Sequence, residues 1–404
     1  MTAMPLSAIT PASPMPAVDA DPLVGLYRQP PVEFVRGAGV ELFDEAGRAY
    51  LDFTSGIGVM ALGHGDPGVA RVMREALATG LIHTSNLYRT PPVRELAELL
   101  TTRSGLPRVF FCNSGAEANE GAFKFARRWA RAAGGSAKHE IVALRGAFHG
   151  RLFATLAATD RPHYRAPFRP LAGGVTVVER DLRTLEGALD RETVAALIVE
   201  PVQGEGGVRV LDPAFLRALR ELTLERNVAL IFDEIQCGLG RTGYFLAAER
   251  AGVVPDLVTL AKPLAGGLPM GAVLASEEIA AAMRPGDHGT TFGGGPLVSS
   301  VAVHVVQRLA DPALLGRVRD TGAWLADELA ALAARTGRIR AVRGIGYMWG
   351  LDVMRPAAEV VRRALDDGLL VCTAGEFTVR LLPPLVATRA DLARGIAILE
   401  TALG

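Results

Sequence analysis

Between Arg108 and Ala275 short apolar runs alternate with helical patterns, which predicts an α/β fold: a mostly parallel central sheet covered by helices. The runs themselves point the same way. Ala195-Ala-Leu-Ile-Val199 and Val228-Ala-Leu-Ile-Phe-Asp233 are continuously apolar rather than alternating, as expected of strands buried on both faces. At 404 residues the chain is long for one core, so a large domain and a smaller one are expected.

Residues 1–25 open with an Ala-, Pro- and Met-rich stretch that has no basic residue ahead of an apolar core, and they read as a flexible leader rather than a signal or transit peptide. Residues 33 to 53 then suggest short strands around the Asp44-Glu-Ala-Gly47 turn. Gly56, Gly58, Gly63 and Gly65 follow, a density of glycine that suits backbone lining a site. Helical spacing runs from Pro92 to Thr102, and Arg108-Val-Phe-Phe-Cys112 reads as a buried strand.

Asn113-Ser-Gly-Ala-Glu-Ala-Asn119 leads into a helix that continues through about Arg131. Glu140–Leu144, Val175–Val178, Leu257–Ala261 and Gly271–Ala275 complete the predicted strands of the sheet, with a Pro-initiated helix from Pro213 to Arg226 between them. Past about residue 300 the pattern changes to long Ala/Leu/Arg helices (301–309 and 314–334), then strands at 340–343, 348–353 and 378–382. The expected organisation is a large domain over 71–300 and a small α+β domain built from both chain ends, 26–70 and 301–404. There are no internal repeats.

Composition excludes several classes. Hydrophobic content is 49% against 21% charged, and the formal net charge is zero with no strongly basic segment, so nothing favours nucleic acid. No apolar run approaches the ~18 residues of a membrane span. Cys112, Cys237 and Cys372 are too widely spaced for a disulfide framework or a metal site, which suits a reducing, cytoplasmic compartment. The seven histidines form no metal-binding pair, and no metal is expected.

The lysines carry the first chemical signal. Only three occur (Lys124, Lys138, Lys262), leaving 40 of the 43 basic residues as arginine. A lone lysine at a strand end ordinarily keeps its ammonium in water. Lys262, however, follows the apolar run Leu257–Ala261 and precedes Gly266-Gly267, where a primary amine can lose its proton and attack a carbonyl as guanidinium cannot.

Two further elements give that amine a context. A strand, a turn of small residues with Ser114 as N-cap, and a helix start together make an anion site. Asp233, at the end of an apolar strand, must find a cation or donors, either an arginine or the protonated ring nitrogen of a cofactor. In a parallel sheet all three sit beyond the carboxyl ends of strands, where ligands bind. An amine, a phosphate cradle and an acid for a pyridinium are what pyridoxal phosphate requires.

Seven motifs, in order, carry a resemblance: Asn113–Glu120, Phe148-His-Gly-Arg151, Glu200-Pro-Val-Gln-Gly-Glu205, Asp233–Gly243, Leu260–Gly267, His288-Gly-Thr-Thr-Phe-Gly293 and Thr378–Pro384. From about Leu26 to the C-terminus the chain resembles the class III (ornithine-type) aminotransferases of pyridoxal-phosphate fold type I, and within them most the acetylornithine aminotransferases. The resemblance implies that Lys262 and Asp233 are catalytic, Lys262 holding the cofactor covalently and then shuttling a proton while Asp233 pairs with the ring nitrogen. It further implies that Ser114, Gly115 and Ala116 bind the phosphate, Phe148 stacks on the ring, His149 contacts the cofactor and Gln236 bonds the ring hydroxyl. Thr291 would bind the phosphate of the other subunit, so a homodimer with shared active sites is implied.

On the substrate side the resemblance implies that Arg380 clamps the α-carboxylate of glutamate or 2-oxoglutarate and that Arg151 takes the carboxylate of the larger donor. Glu205 would neutralise Arg380 while the ω-amine is bound, and Glu200 and Tyr27 would line the same pocket. Tyr27 aligns loosely with a donor-contacting tyrosine of ornithine aminotransferases. Where those enzymes carry a second tyrosine this chain has Ile57, and the lost hydroxyl suits an acylated ornithine, or 4-aminobutyrate, better than free ornithine. Gly295 stands where many relatives have Asn.

The expected activity is transamination between N-acetylornithine and 2-oxoglutarate, as in arginine biosynthesis. The alternatives are the same chemistry on N-succinylornithine, 4-aminobutyrate, ornithine or an acylated lysine or diaminopimelate precursor. A pyridoxal-phosphate-binding regulator expects a nucleic-acid-binding domain that the short uncharged leader does not offer. A dinucleotide site expects a GxGxxG after the first strand of a βαβ unit, and none is present.

Overall fold

The computed structural model describes residues 23–404, so nearly all of the expected leader, residues 1–25, lies outside the described residues. Near the N-terminus the strands are β1 (Phe34–Ala38), β2 (Glu41–Asp44) and β3 (Ala49–Asp52). Next come β4 (Arg108–Cys112), β5 (Glu140–Leu144), β6 (Val175–Val178) and β7 (Val194–Val199), a short pair β8 (Val202–Gln203) and β9 (Arg209–Val210), then β10 (Ala229–Asp233), β11 (Leu257–Leu260) and β12 (Gly271–Ala275). The C-terminal set is β13 (Ile339–Ile345), β14 (Met348–Val353), β15 (Leu369–Leu370), β16 (Cys372–Thr373) and β17 (Thr378–Leu381).

Seven strands form the central sheet in the order β4-β12-β11-β10-β7-β5-β6. β11, β10, β7, β5 and β6 pair in parallel, whereas β12 is antiparallel to both β11 and β4. Six strands therefore share one direction. β7, β10, β11 and β12 are buried along their whole length, which is why their sequences read as unbroken apolar runs.

Helices cover this sheet. Gly115–Gly134 packs on β7, β10, β11 and β12, and Pro91–Ser104 packs on β4 and β12. The helix Pro296–Leu309 packs on Pro91–Ser104, on Pro67–Ala78 and on the Lys262–Ala265 turn. It begins at Pro296, whose fixed φ suits the first helical position, so residue 301 falls inside one continuous element of the large layer. We place the start of the C-terminal part of the small domain after this helix.

The two chain ends meet in one sheet, β1-β2-β3-β15, in which β15 runs parallel to β3. A second small sheet has the order β13-β14-β17-β16. The loops after β4, β5, β7, β10 and β11 all emerge at the same edge of the central sheet, and they carry Ser114, Phe148, Glu200, Asp233 and Lys262.

Candidate active site

Lys262 is the first residue after β11 once Ala261 has turned the backbone, and its φ is +33°, in the region that favours glycine. Such strain on a lysine is maintained only where packing over-determines the turn. Leu264 and Ala265 are fully buried behind it, and the helix Pro296–Leu309 covers them. Burial lowers the pKa of the Lys262 ammonium and the nearby Arg380 charge adds to this, while Asp233, Glu205 and Glu200 act in the opposite sense.

The anion cradle follows β4. Ser114 Oγ accepts from the Glu117 N–H (3.2 Å), and Glu117 in turn accepts from the Asn113 N–H (2.9 Å). Among the hydrogen bonds of the described residues, none is donated by the N–H of Gly115 or Ala116, which are the remaining donors of the first turn. Gly115 is required where it stands, because a Cβ there would lie 2.8 Å from the Ile235 side chain. The cradle is thereby pressed against the loop that begins at Asp233.

Asp233 is 3% exposed. Its Oδ2 accepts from Asn119 Nδ2 (2.8 Å) and His149 Nδ1 (2.8 Å), and its Oδ1 accepts from the Ile235 N–H (3.1 Å). Asn119 is held in turn by the Thr259 hydroxyl (2.8 Å). Oδ1 keeps a lone pair for a further cation.

Arg380, on β17, is 2% exposed. Its terminal nitrogens donate to Glu205 Oε1 (2.7 Å) and Gln236 Oε1 (3.1 Å). Burial works against the guanidinium charge, but the Cys372 sulfur and the Glu205 carboxylate more than offset it, and the pKa lies above its ordinary value. Gln236 Nε2 donates to no group among the described residues, which leaves it for a ligand oxygen. Glu205 sits on a glycine-rich loop close over Gln236: a Cβ on Gly204 would lie 1.8 Å from Gln236 Oε1.

At the mouth, Asp52 Oδ1 accepts from the N–H groups of Thr54 (2.8 Å) and Ser55 (2.9 Å), and its Oδ2 bonds His64 (2.8 Å). These bonds hold Ser55, Gly56 and Ile57 at positive φ, a costly state for a β-branched residue, and leave Ile57 47% exposed. The next residue, Gly58, reaches the site: its Cβ position lies 3.9 Å from Lys262 Cδ. Arg151 lies over the Tyr164 ring at 3.5 Å and at 5.7 Å from the Phe148 ring, exposed at the surface.

Two residues differ from the contacts expected of them. His149, expected to touch the cofactor, is buried with Nδ1 on Asp233. Glu200, expected at the substrate, has both oxygens occupied, by the N–H of Phe148 (2.9 Å) and of Gly204 (3.1 Å). It ties two loops of the site together. Burial raises its pKa, with the Asp233 charge adding to the effect.

Two others are not brought in by this chain. Tyr27 is 81% exposed on the segment before β1, and Thr291 is exposed beside Phe292. Asn119, Thr259 and Cys372 were not singled out by sequence reasoning. Asn119 had a usable signal: an amide on the helix face otherwise made of Ala118, Ala122 and Phe123 must have a buried partner.

These residues fit pyridoxal phosphate. There are two free N–H donors at a helix start for the phosphate, a buried carboxyl group for the ring nitrogen, an unused amide donor for the hydroxyl, and an amine with a lowered pKa. Among the described residues no His, Cys, Asp and Glu cluster could hold a metal ion.

Comparison with known proteins agrees with this geometry. The family model for class-III aminotransferases matches residues 26–403. An acetylornithine aminotransferase of Methanocaldococcus jannaschii is 45% identical over 365 residues, 90% of this chain and 91% of that one. The mitochondrial acetylornithine aminotransferase of Alnus glutinosa is 44% identical, covering 93% of this chain and 84% of the relative. Among solved structures, the N-acetylornithine aminotransferase of Stenotrophomonas maltophilia has a TM-score of 0.81 at 36% identity, covering 92% and 95% of the two chains. The ornithine aminotransferase of Toxoplasma gondii, whose active site contains pyridoxal phosphate at partial occupancy, has a TM-score of 0.90 at 31% identity, covering 94% and 92%.

Proposed function

The chain belongs to the class-III aminotransferases, which depend on pyridoxal 5'-phosphate, and from that premise we propose that it transfers the δ-amino group of N-acetylornithine to 2-oxoglutarate. The products are N-acetylglutamate semialdehyde and glutamate, as in arginine biosynthesis. The observation that carries this reading is the Arg380–Glu205 ion pair in the pocket of Lys262. One pocket must accept two substrates that differ at the reacting carbon, which carries an α-carboxylate in glutamate and 2-oxoglutarate but not in the ω-amine donor. A carboxylate that can cover or uncover an arginine lets it do so.

When bound, the cofactor supplies an aldehyde carbon that accepts the amino group and a ring that draws electron density from the carbon losing its proton. Lys262 Nζ, its pKa lowered by burial, would tether the cofactor and then move the proton between the reacting carbons. Asp233 holds the ring nitrogen protonated, with Asn119 and His149 fixing its carboxylate. The N–H groups of Gly115 and Ala116 with Ser114 hold the phosphate, Phe148 packs on the ring, and Gln236 Nε2 donates to the ring hydroxyl.

For the donor, Glu205 keeps Arg380 neutralised while Arg151, pinned over Tyr164, takes the carboxylate. For 2-oxoglutarate, Glu205 withdraws and Arg380 receives the α-carboxylate in a two-pronged bond. Ile57 offers the donor end an apolar contact without a hydroxyl, which suits an acyl group over a free ammonium.

The higher TM-score to the Toxoplasma gondii ornithine enzyme supports free ornithine as a second reading. Measuring kcat/KM for N-acetylornithine, N-succinylornithine, ornithine and 4-aminobutyrate separates the two. N-acetylornithine is expected to exceed ornithine by at least about 10-fold, the order expected when an ammonium must enter an apolar end. A preference for ornithine or 4-aminobutyrate contradicts the assignment, and Glu205→Gln is expected to narrow the ratio between the ω-amine and glutamate.

The active unit in this reading is a homodimer. Thr291, Phe292, Leu87 and Tyr88 are exposed beside a cavity of about 570 Å³ lined by His83, Asn86, Phe111 and Gly293–Gly295, a partly apolar surface suited to a second copy. Light scattering is expected to give twice the chain mass, and a fully active monomer contradicts the shared site. Three free cysteines favour the cytoplasm.

A further inference from the structure

Each side of the Arg380 guanidinium has a partner, and the three partners are of different kinds. Glu205 and Gln236 hold the two terminal nitrogens, and Nε donates to Cys372 Sγ at 3.4 Å. Glu205 lies on the Gly204–Gly207 loop with its side chain 27% exposed. Cys372 instead lies directly opposite Arg380 in the antiparallel β16–β17 pair, locked in register with it. Its thiol points to the Arg380 carbonyl oxygen (3.8 Å), which turns the sulfur lone pairs toward Nε. Glu205 can leave while the sheet stays intact, and Cys372 cannot.

We propose that Cys372 is a positioning residue for the 2-oxoglutarate half of the reaction. By holding the Nε edge of Arg380, it keeps the two terminal nitrogens aimed into the pocket when Glu205 withdraws. This rests on the reading of Arg380 as the carboxylate clamp.

A guanidinium can meet a carboxylate by its Nε side or by its two-nitrogen end. Closing the Nε side with sulfur leaves only the end. The acceptor must be weak and uncharged for this to work. A carboxylate at position 372 would form a second permanent ion pair and compete with the substrate, while an aliphatic side chain would leave a buried Nε–H unpaired and free to turn to another acceptor. A cysteine sulfur, a weaker acceptor than a carboxylate, avoids both. In β14, the strand on the other side of β17, Gly350 is opposite Arg380 and adds no side chain, so the cysteine is the cross-strand neighbour able to steer it.

The test compares the cofactor-loaded wild type with Cys372→Ala, Cys372→Ser and Arg380→Ala. The KM for 2-oxoglutarate and for the amine donor are measured, together with the Kd of glutarate, read from the visible absorption of the holoenzyme. Cys372→Ala is expected to raise the KM for 2-oxoglutarate and the Kd of glutarate about fivefold, as for loss of one weak bond to a charged group, with the donor KM within about twofold. Cys372→Ser, whose hydroxyl can donate to the carbonyl and accept from Nε, is expected to restore both to within about twofold of wild type.

Unchanged 2-oxoglutarate and glutarate values in Cys372→Ala overturn the proposal. So does an equal rise for both substrates, or a serine variant no better than alanine. Arg380→Ala separates this from the premise. It is expected to raise the KM for 2-oxoglutarate about 100-fold or more. If it does so while Cys372→Ala does nothing, the cysteine role alone fails; if it does not, the clamp reading fails first.

Discussion

Replacing Lys262 with alanine is expected to abolish the visible absorption of the cofactor-loaded enzyme and to lower turnover by at least about 10,000-fold. The size follows from two functions lost together. The amine both tethers the cofactor and moves the proton between carbons, and groups that act as one unit lose most of their effect when any part is removed. The fold should survive, since the Lys262 side chain makes no hydrogen bond among the described residues and its turn is held by the burial of Leu264 and Ala265. Circular dichroism checks that point. Lys124→Ala and Lys138→Ala are the controls: Lys124 bonds His288 (2.8 Å) and Lys138 bonds the Asn227 carbonyl (2.5 Å), both away from the site. A Lys262→Ala enzyme that keeps its colour or a tenth of its turnover contradicts the assignment.

Changing Asp233 to asparagine is expected to lower kcat by about 100- to 1000-fold, the usual cost of removing one preorganised electrostatic partner from a closed site. The substitution preserves shape and removes charge. Asn119 Nδ2 and His149 Nδ1 then face an amide instead of a carboxylate, and the ring nitrogen is no longer held protonated. The loss should fall on kcat more than on either KM, because the charge acts on the step in which a carbon gives up its proton. Retention of more than a tenth of kcat, or a loss confined to KM, would mean that Asp233 serves the fold instead. Asp233→Ala should be worse in stability as well, since it leaves three buried donors without this acceptor.

The strands that form the site were legible because burial on two faces writes itself as unbroken apolar sequence: Ala229–Asp233 and Leu257–Leu260 have no solvent face to encode. Pairs of two residues, such as Leu369–Leu370 and Cys372–Thr373, have no period to detect. The helix Arg389–Leu403 was obscured by Gly395, a poor helix former that is present because a Cβ there would lie 2.2 Å from the Phe53 ring. Ala357–Asp366 buries Ala357, Val360 and Ala364 on a face well separated from its arginines, a helical pattern that was present in the sequence but not used.

Lys262 and Asp233 stood out because each was the wrong residue for a plain strand end. Asn119 did not, since it lies far from Asp233 in the chain and the two meet only through the sheet. Glu200 looked like a pocket residue by its place in a motif. Two backbone N–H groups, invisible in sequence, take up its oxygens.

The presence of only three lysines makes one measurement decisive. Borohydride reduction of the cofactor-loaded enzyme, proteolysis and mass mapping locate the side chain that carries the cofactor. The modification is expected on the peptide containing Lys262 and on no other. Finding it on Lys124 or Lys138, or finding no lysine modified in an active enzyme, would contradict the assignment of Lys262 as the reacting amine.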